Sequence, residues 1–153
     1  MKSNKIVDGV YQLGSNINNG DLFEGMWPIP DGVSLNSYVV KGEKVAIIDL
    51  VDDWNGAPDN LLKQLKSIGV EPKDIDYIVL NHLEPDHTGW LKGFIEETSN
   101  IEIVTTPKGE KMLRSFFNYE GAVISVKDGD VLDLGGKELT FYHAPFVHWP
   151  ETM

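Results

Sequence analysis

The chain has 153 residues, of which 41% are hydrophobic and 24% are charged, as in globular domains that build their own core. The formal net charge of −11 disfavours nucleic acid as a partner, because an acidic surface repels phosphate groups. The sequence contains no cysteine, which excludes disulfides, thiolate catalysis, iron–sulfur ligation and cysteine zinc sites.

The first part of the chain is predicted to form one strand followed by a loop. Residues 5–13 have the composition of a strand, and residues 14–32 are rich in Gly, Asn and Pro. The loop also contains large apolar side chains, namely Phe23, Met26 and Trp27. Core packing is the favoured interpretation for these side chains, and the wall of an apolar pocket is the alternative.

A β-hairpin and a strand–helix–strand unit are predicted next. Apolar runs at 33–40 and 44–51 flank the polar stretch KGE, a pattern typical of a hairpin. Leucines at helical spacing predict a helix over 57–69, and the run at 74–80 predicts a buried strand. The strands on either side of this helix are therefore expected to run parallel.

The remainder of the chain is predicted to alternate between helices and strands. The predicted helices are residues 89–97 and 107–118, and the predicted strands are 101–106, 122–126, 131–134 and 137–143. Helices placed among the strands of a mixed β-sheet put the chain in the α/β or α+β layered class.

The densest cluster of candidate metal ligands lies in NHLEPDHTGW, residues 81–90, directly after a predicted buried strand. Sites in layered α/β folds lie at the carboxyl ends of strands. Pro85 favours an extended conformation at Glu84, and residues two apart in an extended chain point the same way. We therefore expect His82, Glu84 and Asp86 to converge on one side.

His87 would point away from that side unless the chain turns into the next helix at Asp86, a turn that Thr88 and Gly89 favour. With such a turn, one loop would carry two neighbouring clusters, enough for two metal ions in one pocket. The alternative is a solvated polar loop in which Asp86 or Thr88 caps the following helix, and for Asp86 alone the cap is the favoured interpretation. All four residues together favour a metal site.

The motif HLEPDH resembles the H-x-[EH]-x-D-H motif of metallo-β-lactamase fold proteins, and Glu84 at its third position resembles the flavodiiron family. The segment FVHWPETM is similar to a second segment of that family, whose histidine is an iron ligand and corresponds to His148. The resemblance extends over nearly the whole chain. It implies a metallo-β-lactamase-like αββα sandwich, of which residues 1–153 would be the N-terminal portion.

The resemblance also implies a ligand set. His82, Glu84 and His148 would bind one iron, and Asp86 and His87 would bind the other. Two iron ions (Fe2+/Fe3+) are the expected cofactors. Zinc is the alternative, because a site that holds ferrous iron generally binds zinc at least as tightly, although a hard carboxylate favours iron in its higher oxidation state.

Two other polar residues, Asp49 and His143, are not assigned as ligands. Asp49 matches a family aspartate beneath the metals and either orients a ligand histidine or is a residue of a strand-end turn. His143 matches no position in the family, and we expect it to be an ordinary polar side chain.

The family pattern extends beyond this chain in two respects. Its site includes a bridging Asp and a later His, both downstream of the segment around His148. Its classical members also carry a flavodoxin-like domain that binds FMN, and the chain could instead resemble a diiron relative that lacks this domain. Residues 1–153 contain neither the two ligands nor an FMN-binding region. Two explanations are open: the chain is the first part of a longer protein, or it is complete and its site is only half built. We favour the first and therefore expect a single domain that is incomplete at its C-terminus.

The function implied by the resemblance is binding of dioxygen or nitric oxide, with reduction where an electron donor is supplied. A flavin-free, reversible oxygen sensor or carrier and a dinuclear zinc hydrolase are the alternatives. The expected partners are an external electron-donor flavoprotein or a signalling protein, and homodimer formation stays open. The apolar runs are too short to cross a membrane and the N-terminus resembles no signal peptide, so a cytoplasmic location without a membrane partner is expected.

Overall fold

The computed structural model describes residues 2–153, which form strands β1 to β11 and helices α1 to α4. The strands are β1 (Asn4–Val7), β2 (Val10–Ile17), β3 (Leu22–Phe23), β4 (Trp27–Pro28), β5 (Val33–Lys41), β6 (Val45–Ile48), β7 (Tyr77–Val79), β8 (Glu102–Thr105), β9 (Val123–Ser125), β10 (Val131–Asp133) and β11 (Glu138–Thr140). The helices are α1 (Ala57–Ser67), α2 (Pro85–Thr88), α3 (Leu91–Glu96) and α4 (Pro107–Phe117), and Pro72–Asp74 forms a 3-10 turn.

Seven strands form one mixed sheet in the order β1-β2-β5-β6-β7-β8-β9. The first four strands in this order are antiparallel neighbours, whereas β6 to β9 run parallel. The predicted hairpin of β5 and β6 and the predicted parallel pairing of β6 with β7 across α1 are both confirmed. The carboxyl ends of four parallel strands consequently meet at one edge of the sheet, which is where the candidate site lies.

The start of the chain differs from its prediction. Instead of one strand over 5–13, the chain forms two strands that turn at Asp8 and Gly9 and pair antiparallel. Gly9 adopts a left-handed conformation with φ of 74°, which a residue without Cβ reaches at little cost. The second of these strands also runs on to Ile17, inside the predicted loop, because it pairs with β5 along its whole length.

Alternate residues of the central strands point to opposite faces of the sheet, and each face has its own core. Ile47, Ile78 and Ile103 pack on the face that α1, α3 and α4 cover. The opposite face carries a smaller cluster that includes Ala46 and Val104 and is packed against residues from the β10–β11 hairpin and its flanks. Period-two alternation of buried side chains therefore places one apolar layer on each side of the sheet.

The part of the predicted 14–32 loop that follows β2 contains a small hairpin, β3–β4. Phe23 is partly buried and packs against Trp54 with ring centroids 6.3 Å apart. Met26 and Trp27 are exposed, so core packing, the favoured interpretation for all three side chains, is wrong for these two. Within residues 2–153, the structure contains no helix with the length and apolar character that crossing a membrane requires.

Candidate metal centre

Two chain segments bring their polar side chains together beyond the end of β7. Glu84 Oε2 lies 3.3 Å from His82 Nε2 and 2.5 Å from His148 Nε2, although His148 is 64 residues further along the chain. The rings of His82 and His148 are 5.0 Å apart at their centroids. These three side chains thus converge as expected, and each offers one donor atom to a common point.

A short helix brings His87 to the same place. The sequence predicted a helix from Gly89 onwards, but α2 begins at Pro85, because proline fits the first helical position, where no amide hydrogen is needed. Glu84 keeps the extended conformation that was predicted for the residue before proline, with ψ of 142°. The turn that follows places the His87 ring 4.5 Å from the His82 ring.

A second group of potential ligands consists of His82, Asp86 and His87. His87 Nε2 is 3.2 Å from Asp86 Oδ2, and the ligand atoms of the three residues all lie within 4.8 Å of one another. The family resemblance assigned His82 to one metal only, whereas the geometry places it within reach of both groups. The two groups therefore form one continuous site with His82 at its centre.

Asp86 does not cap a helix. Neither α2 nor α3 receives a hydrogen bond from a capping side chain, so the interpretation favoured for Asp86 alone is wrong. Thr88 is buried and donates to the carbonyl oxygens of Leu83 and Glu84. It thereby fixes the backbone of residues 81–88, called the ligand loop because it carries proposed ligands, instead of capping a helix.

Buried polar atoms without a hydrogen-bond partner mark the site. Within residues 2–153, the side-chain atoms in this state are Asp86 Oδ1, His87 Nδ1 and Glu151 Oε2. Such atoms are rare in folded proteins because each costs roughly 1–3 kcal/mol. Two of the three belong to proposed ligands. A cation bound beside Asp86 would satisfy its Oδ1, whereas His87 Nδ1 lies 3.8 Å from Asp49 Oδ2. The donor set of nitrogen and carboxylate oxygen fits iron.

Asp49 lies directly beneath this group. Its carboxylate accepts the backbone amide of Asn81 at 2.9 Å and the side-chain amide of Asn81 at 3.0 Å, and Oδ2 is 3.8 Å from His87 Nδ1. Asp49 has φ of 54°, a left-handed conformation uncommon outside glycine. Burial raises the pKa of its carboxyl group, and the neighbouring His87 and the Asn81 amides oppose that shift.

The acidic surroundings favour positive charge at His87. Burial alone would lower the pKa of the imidazole, but its contact with Asp86 and the charges of Asp49 and Glu84 outweigh burial and raise it. Negative groups that stabilise an imidazolium stabilise a bound metal cation for the same electrostatic reason.

Three other residues complete the description of the site. His143 lies outside both groups, and its Nε2 is 3.0 Å from the Val126 carbonyl oxygen, as expected for an ordinary polar side chain. Sequence reasoning missed Glu24, at the β3–β4 turn, whose pKa is raised by partial desolvation and by the charges of Glu84 and Asp86. It also missed Glu151, whose buried carboxylate accepts the amide of Leu83 at 2.8 Å. A glutamate among the apolar residues after His148 was the available signal.

Comparison with known proteins identifies relatives along the whole chain. A family profile described as the metallo-beta-lactamase superfamily matches residues 30–149. The rubredoxin-oxygen oxidoreductase of Megalodesulfovibrio gigas is 37% identical over 155 residues, which cover 100% of this chain and 38% of that protein. The nitric oxide reductase of Moorella thermoacetica is 31% identical, with 97% of this chain and 37% of that protein covered.

A solved structure has the same backbone arrangement. The flavo di-iron protein of Thermotoga maritima, in a variant form, superposes with a TM-score of 0.87 and 34% identity. The superposition covers 98% of this chain and 38% of that protein. The chain therefore spans less than two-fifths of the length of each of these relatives.

Proposed function

The chain belongs to the metallo-β-lactamase superfamily and is homologous along its whole length to flavodiiron proteins, and from that premise we propose that it provides most of a dinuclear iron site that binds dioxygen or nitric oxide. The predicted fold class and family resemblance are both confirmed. Reduction of the bound molecule follows where an electron donor is supplied. The convergence of His82, Glu84 and His148 with Asp86 and His87 is the observation that carries the proposal.

In this proposal each side chain has a defined task. Glu84 and His148 hold one iron together with His82, and Asp86 and His87 hold the second beside it. The iron pair, when bound, supplies two adjacent redox-active cations that act together on one diatomic molecule. Asp49 keeps the ligand loop in place through Asn81, and its carboxylate faces His87.

The site has an open side and a closed side. The His148 side chain is 54% exposed, whereas His82 and Asp86 are buried. The buried residues keep bulk water from the inner side of the proposed site. The bridging Asp and the later His that the family resemblance implies belong to the part of the protein that, in this proposal, follows Met153.

Iron content of the natural full-length protein tests the proposal. We expect two irons per chain in the wild type and the loss of both in His82→Ala, because His82 reaches both groups. His143→Ala is the matched control, since His143 lies outside both groups, and it retains both irons. A wild-type protein without iron, or His82→Ala with undiminished iron, contradicts the proposal.

The reaction is tested with a donor present and without one. Consumption of dioxygen or nitric oxide with a reduced flavoprotein or rubredoxin as donor supports a reductase. An absorption change on exposure to dioxygen that reverses on deoxygenation supports the sensor or carrier instead. Stoichiometric zinc with ester or thioester hydrolysis supports the hydrolase, which the carboxylate at Glu84 disfavours.

A further inference from the structure

A buried glutamate lies immediately behind the proposed ligands. Glu151 is only 2% exposed, and no basic side chain within residues 2–153 forms an ion pair with it. Burial of a carboxylate without a counter-charge is costly, so a residue that persists in this state has a specific contact to make. Its one hydrogen bond through the side chain is the bond from the Leu83 amide to Oε1, at 2.8 Å.

The hydrogen bond from Leu83 to Glu151 lies beside the proposed ligands. Leu83 lies between the proposed ligands His82 and Glu84, and its own side chain is buried in the main core. Glu151 lies three residues after the proposed ligand His148. The bond therefore joins the two segments that carry ligands, which are separated by more than 60 residues of chain.

The backbone on the Glu151 side is fixed independently. The carbonyl oxygen of Glu151 accepts the hydroxyl of Thr106, the N-cap residue of α4, at 3.2 Å. The amide of Met153 donates to the Asn81 carbonyl oxygen at 3.0 Å, and the amide of Ala144 donates to the Thr152 carbonyl oxygen at 2.9 Å. The backbone at Glu151 is therefore held in place, and the hydrogen bond from the Leu83 amide to its carboxylate fixes the ligand loop relative to that backbone.

Few other contacts determine the spacing of the ligands. Across residues 2–153, the bond to Leu83 is the one side-chain hydrogen bond between segments 144–153 and 81–88, apart from the contact of His148 with Glu84 themselves. We propose that Glu151 is a positioning residue, whose carboxylate holds the Leu83 amide so that Glu84 and His148 keep the separation needed to bind the same iron. This inference rests on the proposed iron site.

Two substitutions separate the hydrogen bond from the charge. Glu151→Met retains the length of the side chain but loses the acceptor, whereas Glu151→Gln keeps an amide oxygen that can accept from Leu83 and loses the charge. Because partners behind metal ligands typically contribute ~10–100-fold to metal affinity, we expect Glu151→Met to weaken iron binding by at least about tenfold. Glu151→Gln is expected to stay within about threefold of the wild type.

Gln64→Met is the matched control for burial and stability. Gln64 is also buried, and its side-chain oxygen also accepts a backbone amide, that of Gly14 at 3.0 Å, but it lies in α1 away from the ligands. Iron affinity is measured on the natural full-length protein by competition with a coloured chelator, and thermal unfolding is measured in parallel. We expect Gln64→Met to lower the unfolding temperature and to leave iron affinity unchanged.

The outcomes separate this inference from the proposed function. A wild type without iron overturns the iron site itself. A wild type with two irons and a Glu151→Met variant of equal affinity overturns the role of Glu151 alone, as does Glu151→Gln binding as weakly as Glu151→Met. If Glu151→Met does not fold, Glu151→Gln decides, since a tenfold loss of affinity in that variant overturns the role of the hydrogen bond.

Discussion

Glu84 is a carboxylate placed between two imidazoles, and its chemistry bears on which metal the site selects. A carboxylate is a harder and more anionic ligand than imidazole, so it favours iron in its higher oxidation state relative to zinc. We expect Glu84→His to raise the zinc-to-iron ratio of the purified protein severalfold, because the substitution replaces a hard carboxylate oxygen donor by an imidazole nitrogen. Elemental analysis of protein from cells grown with both metals measures this ratio.

The control for that substitution is Glu43→His. Glu43 is exposed in the turn between β5 and β6, at the opposite end of the sheet from the ligands. The same replacement there adds an imidazole without touching the site and leaves the metal ratio as in the wild type. An unchanged ratio in Glu84→His would show that the carboxylate does not determine metal choice.

The proposed ligands in the loop could be recognised as candidates from the sequence because they are close together in it. Four polar residues within six positions, at the end of a buried strand, mark a site without any knowledge of tertiary contacts. His148 was identified through a family resemblance, since no local pattern joins it to Glu84. Glu151 and Glu24 were missed because their contacts with the loop span about 60 residues of chain, and an isolated glutamate has many solvated alternatives.

At the scale of elements, helix α4 begins beside the segment that carries His148. The hydroxyl of Thr106 accepts the amide of Gly109 at 3.1 Å and donates to the Glu151 carbonyl oxygen at 3.2 Å. We expect Thr106→Val to lower the free energy of unfolding by about 1–2 kcal/mol, through loss of the cap and of the second bond. Equilibrium urea unfolding measures the change.

Two further variants are the controls for Thr106→Val. Thr106→Ser keeps the hydroxyl and is expected to stay within about 0.5 kcal/mol of the wild type. Thr98→Val removes a hydroxyl that donates only to the Ile95 carbonyl oxygen at the end of α3, and it is also expected to change stability by less than about 0.5 kcal/mol. Equal losses in Thr106→Val and Thr98→Val would contradict the capping role.

Helix α4 packs closely at Gly109 but leaves Ser115 exposed. We therefore expect substitution by alanine to change the free energy of unfolding in opposite directions at these two positions. A methyl group at Gly109 would overlap Thr105 Oγ1 and press on Leu83 Cδ1, behind the ligand loop. We expect Gly109→Ala to lower the free energy of unfolding by about 1–2 kcal/mol, because overpacking outweighs the better helix propensity of alanine.

Ser115 provides the comparison, because it lies exposed on α4. Ser115→Ala changes propensity alone and is expected to raise the free energy of unfolding by about 0.5 kcal/mol. Urea unfolding of both variants is the measurement, and a gain of stability in Gly109→Ala would show that the helix is not tightly packed there.

Most elements were predictable, and the exceptions have physical reasons. The periodicity of α1 and the apolar runs of β5 and β6 are local signals, and the structure confirms them. Residues 5–13 look like one strand in the sequence because the two-residue turn at Asp8 and Gly9 leaves the alternation of apolar residues almost undisturbed. Helix α2 is not among the predicted helices because proline is unfavourable in a helix interior, although it is favourable in the first turn.

At the scale of the whole molecule, the acidity of the chain and the proposed bound cations both affect the free energy of unfolding. With 24 acidic and 13 basic residues, repulsion between carboxylates destabilises the compact state. The ligand loop concentrates that repulsion, because the Glu84 and Asp86 carboxylates both contribute to raising the pKa of Glu24. Cations bound at the site remove part of this cost, and so metal binding should be visible in global stability.

We therefore expect removal of iron by a chelator to lower the unfolding temperature of the natural full-length protein. A ligand at about a hundredfold its dissociation constant contributes about 2.7 kcal/mol per site. For a domain of about 150–250 residues that corresponds to a decrease of roughly 5–10 °C per site, measured by differential scanning calorimetry.

His82→Ala distinguishes binding at the site from general screening of the acidic surface. Magnesium added to either protein screens surface charge and changes the two unfolding temperatures equally. Iron raises the unfolding temperature of the wild type but not of His82→Ala, since His82 lies within reach of both groups of ligands. If iron stabilises the two proteins to the same extent, the cation acts through the acidic surface as a whole, and the convergence of the two ligand segments has no role in holding it.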